Sequence, residues 1–300
     1  MSAGPRWPIE GRGWPLAEHS RFVDAGGLRW HVQTLGAGPA ILLLHGTGAA
    51  THSWRGLAPL LARRFTVVAP DLPGHGFTAG IPPAGLTLPA MAGAVEALID
   101  VLGARPMLIV GHSAGAAIAV RMALDGVAVQ GIVGLSPALQ PFPGIASKLF
   151  PSLARLLFVN PFAPHIFAAI ARRPGETRRF LERSTGSRID DAGIACYARL
   201  FANAGQCGGA IRMMADWDLA PLAAALPTMR QPLLLIHGAN DAAIRTDPVR
   251  RSAAAASDGR LELLPGLGHL AHEERPGLVA ASIERFAVDL GVLPAEATAA

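Results

Sequence analysis

The segment Gly111-His112-Ser113-Ala114-Gly115 follows a short apolar run at residues 107–110 and opens the alanine-rich stretch Ala114–Leu124. A strand, a tight turn and a helix in that order put a serine on a sharply bent backbone, its hydroxyl exposed at the carboxyl end of the strand. Small residues beside the serine let strand and helix approach closely. The helix N-terminus beneath it favours developing negative charge. Ser113 is therefore the candidate nucleophile.

Working outward, short apolar runs recur at Ala40–Leu44, 65–69, Gly131–Leu135 and 233–236, each closed by a turn residue. Strands buried on both faces of a parallel sheet read this way. Segments 21–23 and 28–33 alternate apolar with polar residues and suit an antiparallel edge, and 260–264 suits a weaker strand. Helical spacing fills the gaps. Leu88–Leu102 places Met91, Val95, Leu98, Ile99 and Leu102 on one face, and 276–290 begins on Pro276 at a first helical turn. The alternation predicts an α/β fold with a mostly parallel, eight-stranded sheet flanked by helices. It breaks once. Residues 137–230 hold no strong strand candidate and read as an all-helical cap inserted into a core made of 1–136 and 231–300.

A serine hydroxyl needs a base to take its proton, and the base needs a carboxylate to fix its tautomer. Of the 10 histidines, His269 lies in a glycine-bracketed loop between the last strand and the last helix, which brings it to the edge where Ser113 points. His272 competes from three residues on. Asp241 follows the run 233–236 and reaches the same edge; after Gly131–Leu135 stand Ser136 and Pro137, with no carboxylate. After Ala40–Leu44 comes His45-Gly46-Thr47-Gly48, which makes the backbone N–H groups of Thr47 and Ala114 the expected oxyanion donors. His45, Gly46 and His112 stand as candidate substrate contacts; the alternative for the histidines, His237 included, is backbone hydrogen bonding around the site. The turn 71–76 is expected to shape the pocket.

Composition narrows the functions. Hydrophobic residues are 51% and charged residues 16% of 300, enough for a large core and too apolar for a disordered chain. Cys196 and Cys207 give neither a disulfide framework nor zinc spacing and read as buried thiols. Net charge is +4, with Lys148 the one lysine among 26 basic residues. The arginines between 172 and 188 are interleaved with Glu176 and Glu182, a solvated helical face and not the dense stripe of a nucleic-acid binder. No apolar run reaches the ~18 residues of a membrane span and no signal sequence is present, so the chain reads as cytoplasmic, with membrane contact at most peripheral. No cofactor is expected. Nor is a metal: His269 and His272 form the one close pair, and no carboxylate completes a ligand set.

Together, 45–48, 71–76, 111–115, Asp241 and His269 resemble the α/β-hydrolase superfamily over nearly the whole chain, from about residue 22 to 290. The chain order Ser113, Asp241, His269 is that superfamily's. Segments 20–23, 27–33, 45–55 and 69–78 are similar to the magnesium-chelatase accessory protein family, α/β-hydrolases encoded with bacteriochlorophyll biosynthesis genes. That resemblance implies a role in bacteriochlorophyll biosynthesis, beside insertion of magnesium into a tetrapyrrole, and contact with magnesium chelatase as a partner. It implies no substrate.

Two functions follow. One is a serine hydrolase acting on an apolar ester-like small molecule, with Phe150, Leu157, Phe158 and Phe162 of the cap lining the cleft. The other is a non-hydrolytic binding protein for a tetrapyrrole or for the chelatase, in which arginines meet carboxylates. Dehalogenases and epoxide hydrolases of this superfamily place an aspartate where Ser113 stands, which argues against both.

Overall fold

The computed structural model describes residues 3–141, 160 and 162–295. Its eight strands are β1 (Ser20–Ala25), β2 (Leu28–Leu35), β3 (Ala40–Leu44), β4 (Thr66–Pro70), β5 (Leu108–His112), β6 (Gly131–Leu135), β7 (Leu233–Gly238) and β8 (Gly259–Leu264). They form one sheet in the order β1-β2-β4-β3-β5-β6-β7-β8. β1 and β2 pair antiparallel with each other, and β2 antiparallel with β4; every other pairing is parallel. The expected antiparallel edge is thus present. Strand limits differ from the sequence reading by one or two residues, the usual uncertainty where apolar runs fade into turns.

β5, β6 and β7 are buried along their whole length. That is why they read as unbroken apolar runs. Helices α1 (Leu88–Leu102) and α2 (Ala114–Leu124) cover one face, where Met91, Val95, Leu98, Ile118 and Val120 are fully buried. The terminal helix, Pro276–Asp289, covers the other with Val279, Ile283 and Phe286, beside Trp54 and Phe65. Each large side chain removed from water in this way stabilises the fold by roughly 1.5–3 kcal/mol.

Between β6 and β7 the described elements are all helical: α3 (Ala163–Ala171), α4 (Glu176–Thr185), α5 (Asp191–Phe201), α6 (Ala204–Asp216), α7 (Ala220–Ala225) and a 3-10 turn, Leu226–Thr228. α5 and α6 sit on the loops that follow β3 and β4. The Gln206 side chain donates to the Gly48 carbonyl (3.0 Å) and accepts the Gly76 N–H (2.8 Å). Cys196 on α5 and Cys207 on α6 are buried free thiols, as read from the sequence. Among the described residues no helix is long and apolar enough to cross a membrane.

Candidate active site

The parallel strands deliver their following loops to one edge of the sheet, and the candidate residues collect there. Ser113 sits between β5 and α2 with φ 50° and ψ −112°. A positive φ at a residue with a side chain costs about 1–3 kcal/mol and persists only where the surroundings enforce it. Here they do. The Ser113 N–H donates to the Leu135 carbonyl (2.9 Å), and its carbonyl accepts the N–H groups of Ala116 and Ala138 (3.1 Å each). Gly115 lies against the Leu44 and His45 carbonyls, so tightly that a Cβ there would overlap Leu44 O. The small residues that flank the serine in the sequence are what let helix and strand meet.

His269 and Asp241 are joined. The His269 Nδ1–H donates to Asp241 Oδ2 at 2.7 Å. The second carboxylate oxygen, Oδ1, accepts the N–H groups of Ala243 and Ile244 at 2.8 Å each. The carboxylate therefore has a single orientation, and Nδ1 is the ring nitrogen it holds. Both groups are largely withdrawn from solvent, with side-chain exposures of 9% for His269 and 0% for Asp241.

The loop after β3 closes the site from the other side. A Cβ on Gly46 would stand 2.7 Å from His112 Nδ1 and 3.2 Å from Ser113 Cβ, so only glycine fits between them without displacement. Among the described residues, neither the Thr47 nor the Ala114 N–H is spent on a protein acceptor. The Thr47 hydroxyl points elsewhere, donating to Met213 Sδ at 3.5 Å.

Two neighbouring histidines, His45 and His112, make backbone bonds; neither ring nitrogen of His237 has a hydrogen-bond partner among the described residues. His45 is buried; its Nδ1–H donates to the Gly46 carbonyl (2.8 Å) and its Nε2 accepts the Leu72 N–H (2.9 Å). His112 Nε2–H donates to the His269 carbonyl (3.1 Å). Both rings shape the site from behind, and burial pushes both below the ordinary histidine range. His237 lies 3.6 Å from Asp241 through Nδ1, also lowered by burial. The competitor His272 is buried on the short helix Ala271–Glu274, its Nε2 bonded to the Ser53 hydroxyl at 2.8 Å. Burial, reinforced by His269 and Arg55, brings it down to about 3. A ring so placed does not meet a substrate.

Of the expected cap contacts, Phe162 is 69% exposed at the start of α3. Phe150, Leu157 and Phe158 lie outside the described residues. Among the described residues no group of three or more His, Cys, Asp or Glu side chains is placed to hold a metal ion.

Three features were not read from the sequence. Asp71 holds His31 at 2.8 Å and accepts the N–H groups of Thr51 (2.7 Å) and Phe77 (2.8 Å). Burial alone would raise this carboxyl; His31, His45 and the Phe77 amide outweigh it and hold it at about 2. Glu273 pairs with Arg55 and accepts from the Tyr197 hydroxyl (2.8 Å) and the Ser53 hydroxyl (2.9 Å), with burial lifting it above the usual carboxylate range. The third is the turn 185–188 beside Glu274. Each pairs residues remote in sequence, and no local pattern announces such pairs.

Comparison with known proteins agrees with the fold. A family model described as "alpha/beta hydrolase family" matches residues 41–282. The magnesium-chelatase 30 kDa subunit of Rhodobacter capsulatus is 39% identical over 87% of this chain and 91% of its own length. Haloalkane dehalogenase 2 of Mycobacterium tuberculosis is 31% identical over 89% and 94%. Among solved structures, the epoxide hydrolase CorEH superposes with a TM-score of 0.73 at 25% identity, covering 90% of this chain and 99% of that one.

Proposed function

The chain belongs to the alpha/beta hydrolase family, and from that premise we propose that it is a serine hydrolase acting on an apolar, ester-like small molecule. Ser113 attacks the carbonyl as His269 Nε2 takes its proton. Asp241 holds the ring and stabilises its cation. The Thr47 and Ala114 N–H groups receive the oxyanion, a contribution of about 3–4 kcal/mol from each donor. His269 then passes the proton to the leaving group, and a water activated by the same ring releases the acyl group from Ser113.

The observation that carries this reading is the 2.7 Å bond from His269 Nδ1 to Asp241 Oδ2 at the sheet edge where Ser113 is held at φ 50°. The serine also separates it from the aspartate-nucleophile chemistry expected of dehalogenases and epoxide hydrolases. In this reading residues 137–230 form a cap on a core of 1–136 and 231–300, with Phe162 as a cap residue offered to an apolar substrate. Gly46 lets the substrate carbonyl approach Ser113, with His45 and His112 behind it.

The test is hydrolysis of a p-nitrophenyl ester series by the wild type and by Ser113→Ala. Turnover in the wild type and its loss in a folded Ser113→Ala support the proposal; equal turnover in both contradicts it.

A second reading is favoured by the 39% identity to a protein named magnesium-chelatase 30 kDa subunit. In it the chain binds a tetrapyrrole or contacts the chelatase, in support of bacteriochlorophyll biosynthesis, without hydrolysing anything. Absorbance titration with protoporphyrin IX tests it; binding that survives Ser113→Ala in a protein inert toward esters favours this reading over the first.

A further inference from the structure

The loop that carries His269 is held by three consecutive amides. Gly268 N–H donates to Glu274 Oε2 at 2.8 Å, His269 N–H to the Thr185 carbonyl at 2.8 Å, and Leu270 N–H to the Ser187 hydroxyl oxygen at 2.8 Å. All three acceptors belong to one assembly. The Ser187 hydroxyl donates to Glu274 Oε2 (2.9 Å), and Glu274 Oε1 accepts the Arg188 N–H (2.9 Å). The Thr185 carbonyl also accepts the Ala242 N–H at 3.3 Å, one residue beyond Asp241. Thr185 and Ser187 are buried, at 7% and 2% exposure.

The turn that ends α4 thus touches the His269 loop and the Asp241 loop at once. Glu274 ties that turn to the short helix following the histidine. Its neighbour Glu273 reaches the same helical region by another route, through Tyr197 on α5 and through Arg55, which also bonds Asp190 at 2.7 Å. Apart from Leu267, the residues just before His269 are Gly266, at φ 75°, and Gly268, so the backbone there has little stiffness of its own.

We propose that Glu274 and Ser187 are positioning residues for His269, coupling the helices between β6 and β7 to proton transfer at Ser113. The proposal rests on His269 being the general base. Glu274 receives three donors: two N–H groups and one hydroxyl. A glutamine of the same shape cannot accept all of them, because one of its heads carries only N–H. When the clamp is loosened, the ring keeps its Asp241 partner but loses its fixed distance and tilt toward Ser113. A misplacement of about 1 Å at a reacting group costs up to about 100-fold in rate. Any shift of α4 on ligand binding is transmitted to the base through the same bonds.

Glu274→Gln and Ser187→Ala test this in the full chain, with two readouts. In ester turnover, each variant lowers kcat about 10- to 100-fold with KM within about twofold. The double variant loses little more than either single one, because both act through one clamp. In proton NMR, the downfield His269 Nδ1–H resonance, sharp in the wild type, broadens by exchange in both. A resonance equally sharp in both variants overturns the proposal, as does a rate loss lying wholly in KM or in the folded fraction. If the wild type turns over no ester, the hydrolase reading fails, while the resonance still decides the clamp.

Discussion

Asp241 meets His269 with one carboxylate oxygen, at 2.7 Å, and spends the other on the amides of Ala243 and Ile244. The loop therefore presents a single lone-pair direction to the imidazole and selects the Nδ1–H tautomer. Asp241→Asn keeps the shape and reverses one head into a donor. The amides of Ala243 and Ile244 retain the oxygen, so the NH2 group faces the ring and forces the wrong tautomer. Steady-state ester kinetics are predicted to show kcat reduced by about 10⁴-fold, with the fold intact by circular dichroism.

Gly46 separates His112 from Ser113. Gly46→Ala places a methyl 2.7 Å from His112 Nδ1 and 3.2 Å from Ser113 Cβ. His112 cannot retreat freely, because its other nitrogen holds the His269 carbonyl. The expected result is a stability loss of about 1–3 kcal/mol in urea unfolding, together with a fall in kcat, since the strained serine and the base loop move together.

The buried histidines set the acid limit of the fold. His45, His52, His75, His112, His237 and His272 are all lowered by burial, His75 and His272 to about 3. A histidine with a depressed folded-state pKa binds its proton only on unfolding. Its contribution is fully present above the unfolded pKa of about 6.5 and is lost as pH falls toward the folded value. Each such proton is worth about 1.4 kcal/mol per pH unit within that window. Thermal melts at pH 8, 7, 6 and 5 are predicted to be flat from 8 to 7 and to fall steeply below 6.

Asp71 adds to the acid sensitivity at lower pH. Its carboxyl is held at about 2, so its stabilisation is present above the ordinary aspartate range and is lost as pH drops toward 2. Asp71→Asn removes the partner of buried His31 and the acceptor shared by Thr51 and Phe77. Leaving buried donors without their acceptor costs about 1–3 kcal/mol. Urea unfolding at pH 7 is predicted to show a loss of that size, and a midpoint unchanged from the wild type contradicts the assignment.

Strand–turn–helix order around Ser113 was legible because steric demands are local: a bent serine needs small neighbours, and they stand beside it in the chain. Ala40–Leu44 and Gly131–Leu135 were legible to the residue because two-sided burial leaves no polar position inside them. His269 and Asp241 were proposed from their places after strands; the bond between them is seen only in the structure. The Thr185–Ser187–Glu274 clamp was not found. Ser187 and Glu274 are 87 residues apart, each an ordinary polar residue in its own surroundings, and only the packing of α4 on the β8 loop joins them. Backbone bonding by His45 was one of the two readings its sequence position offered, whereas the buried place of His272 was hidden for the same reason: burial depends on what covers a ring, and that comes from elsewhere in the chain.

In the proposed mechanism Ser113, His269, Asp241 and the oxyanion donors act together, with His269 drawing the proton from Ser113 while Asp241 orients the ring. Intact-mass analysis after treatment with a fluorophosphonate, with Ser113→Ala in parallel, tests it most directly. One stoichiometric adduct is expected, located on Ser113 by peptide mapping and absent from Ser113→Ala. A folded wild type that stays unlabelled, or a label that persists in Ser113→Ala, contradicts it.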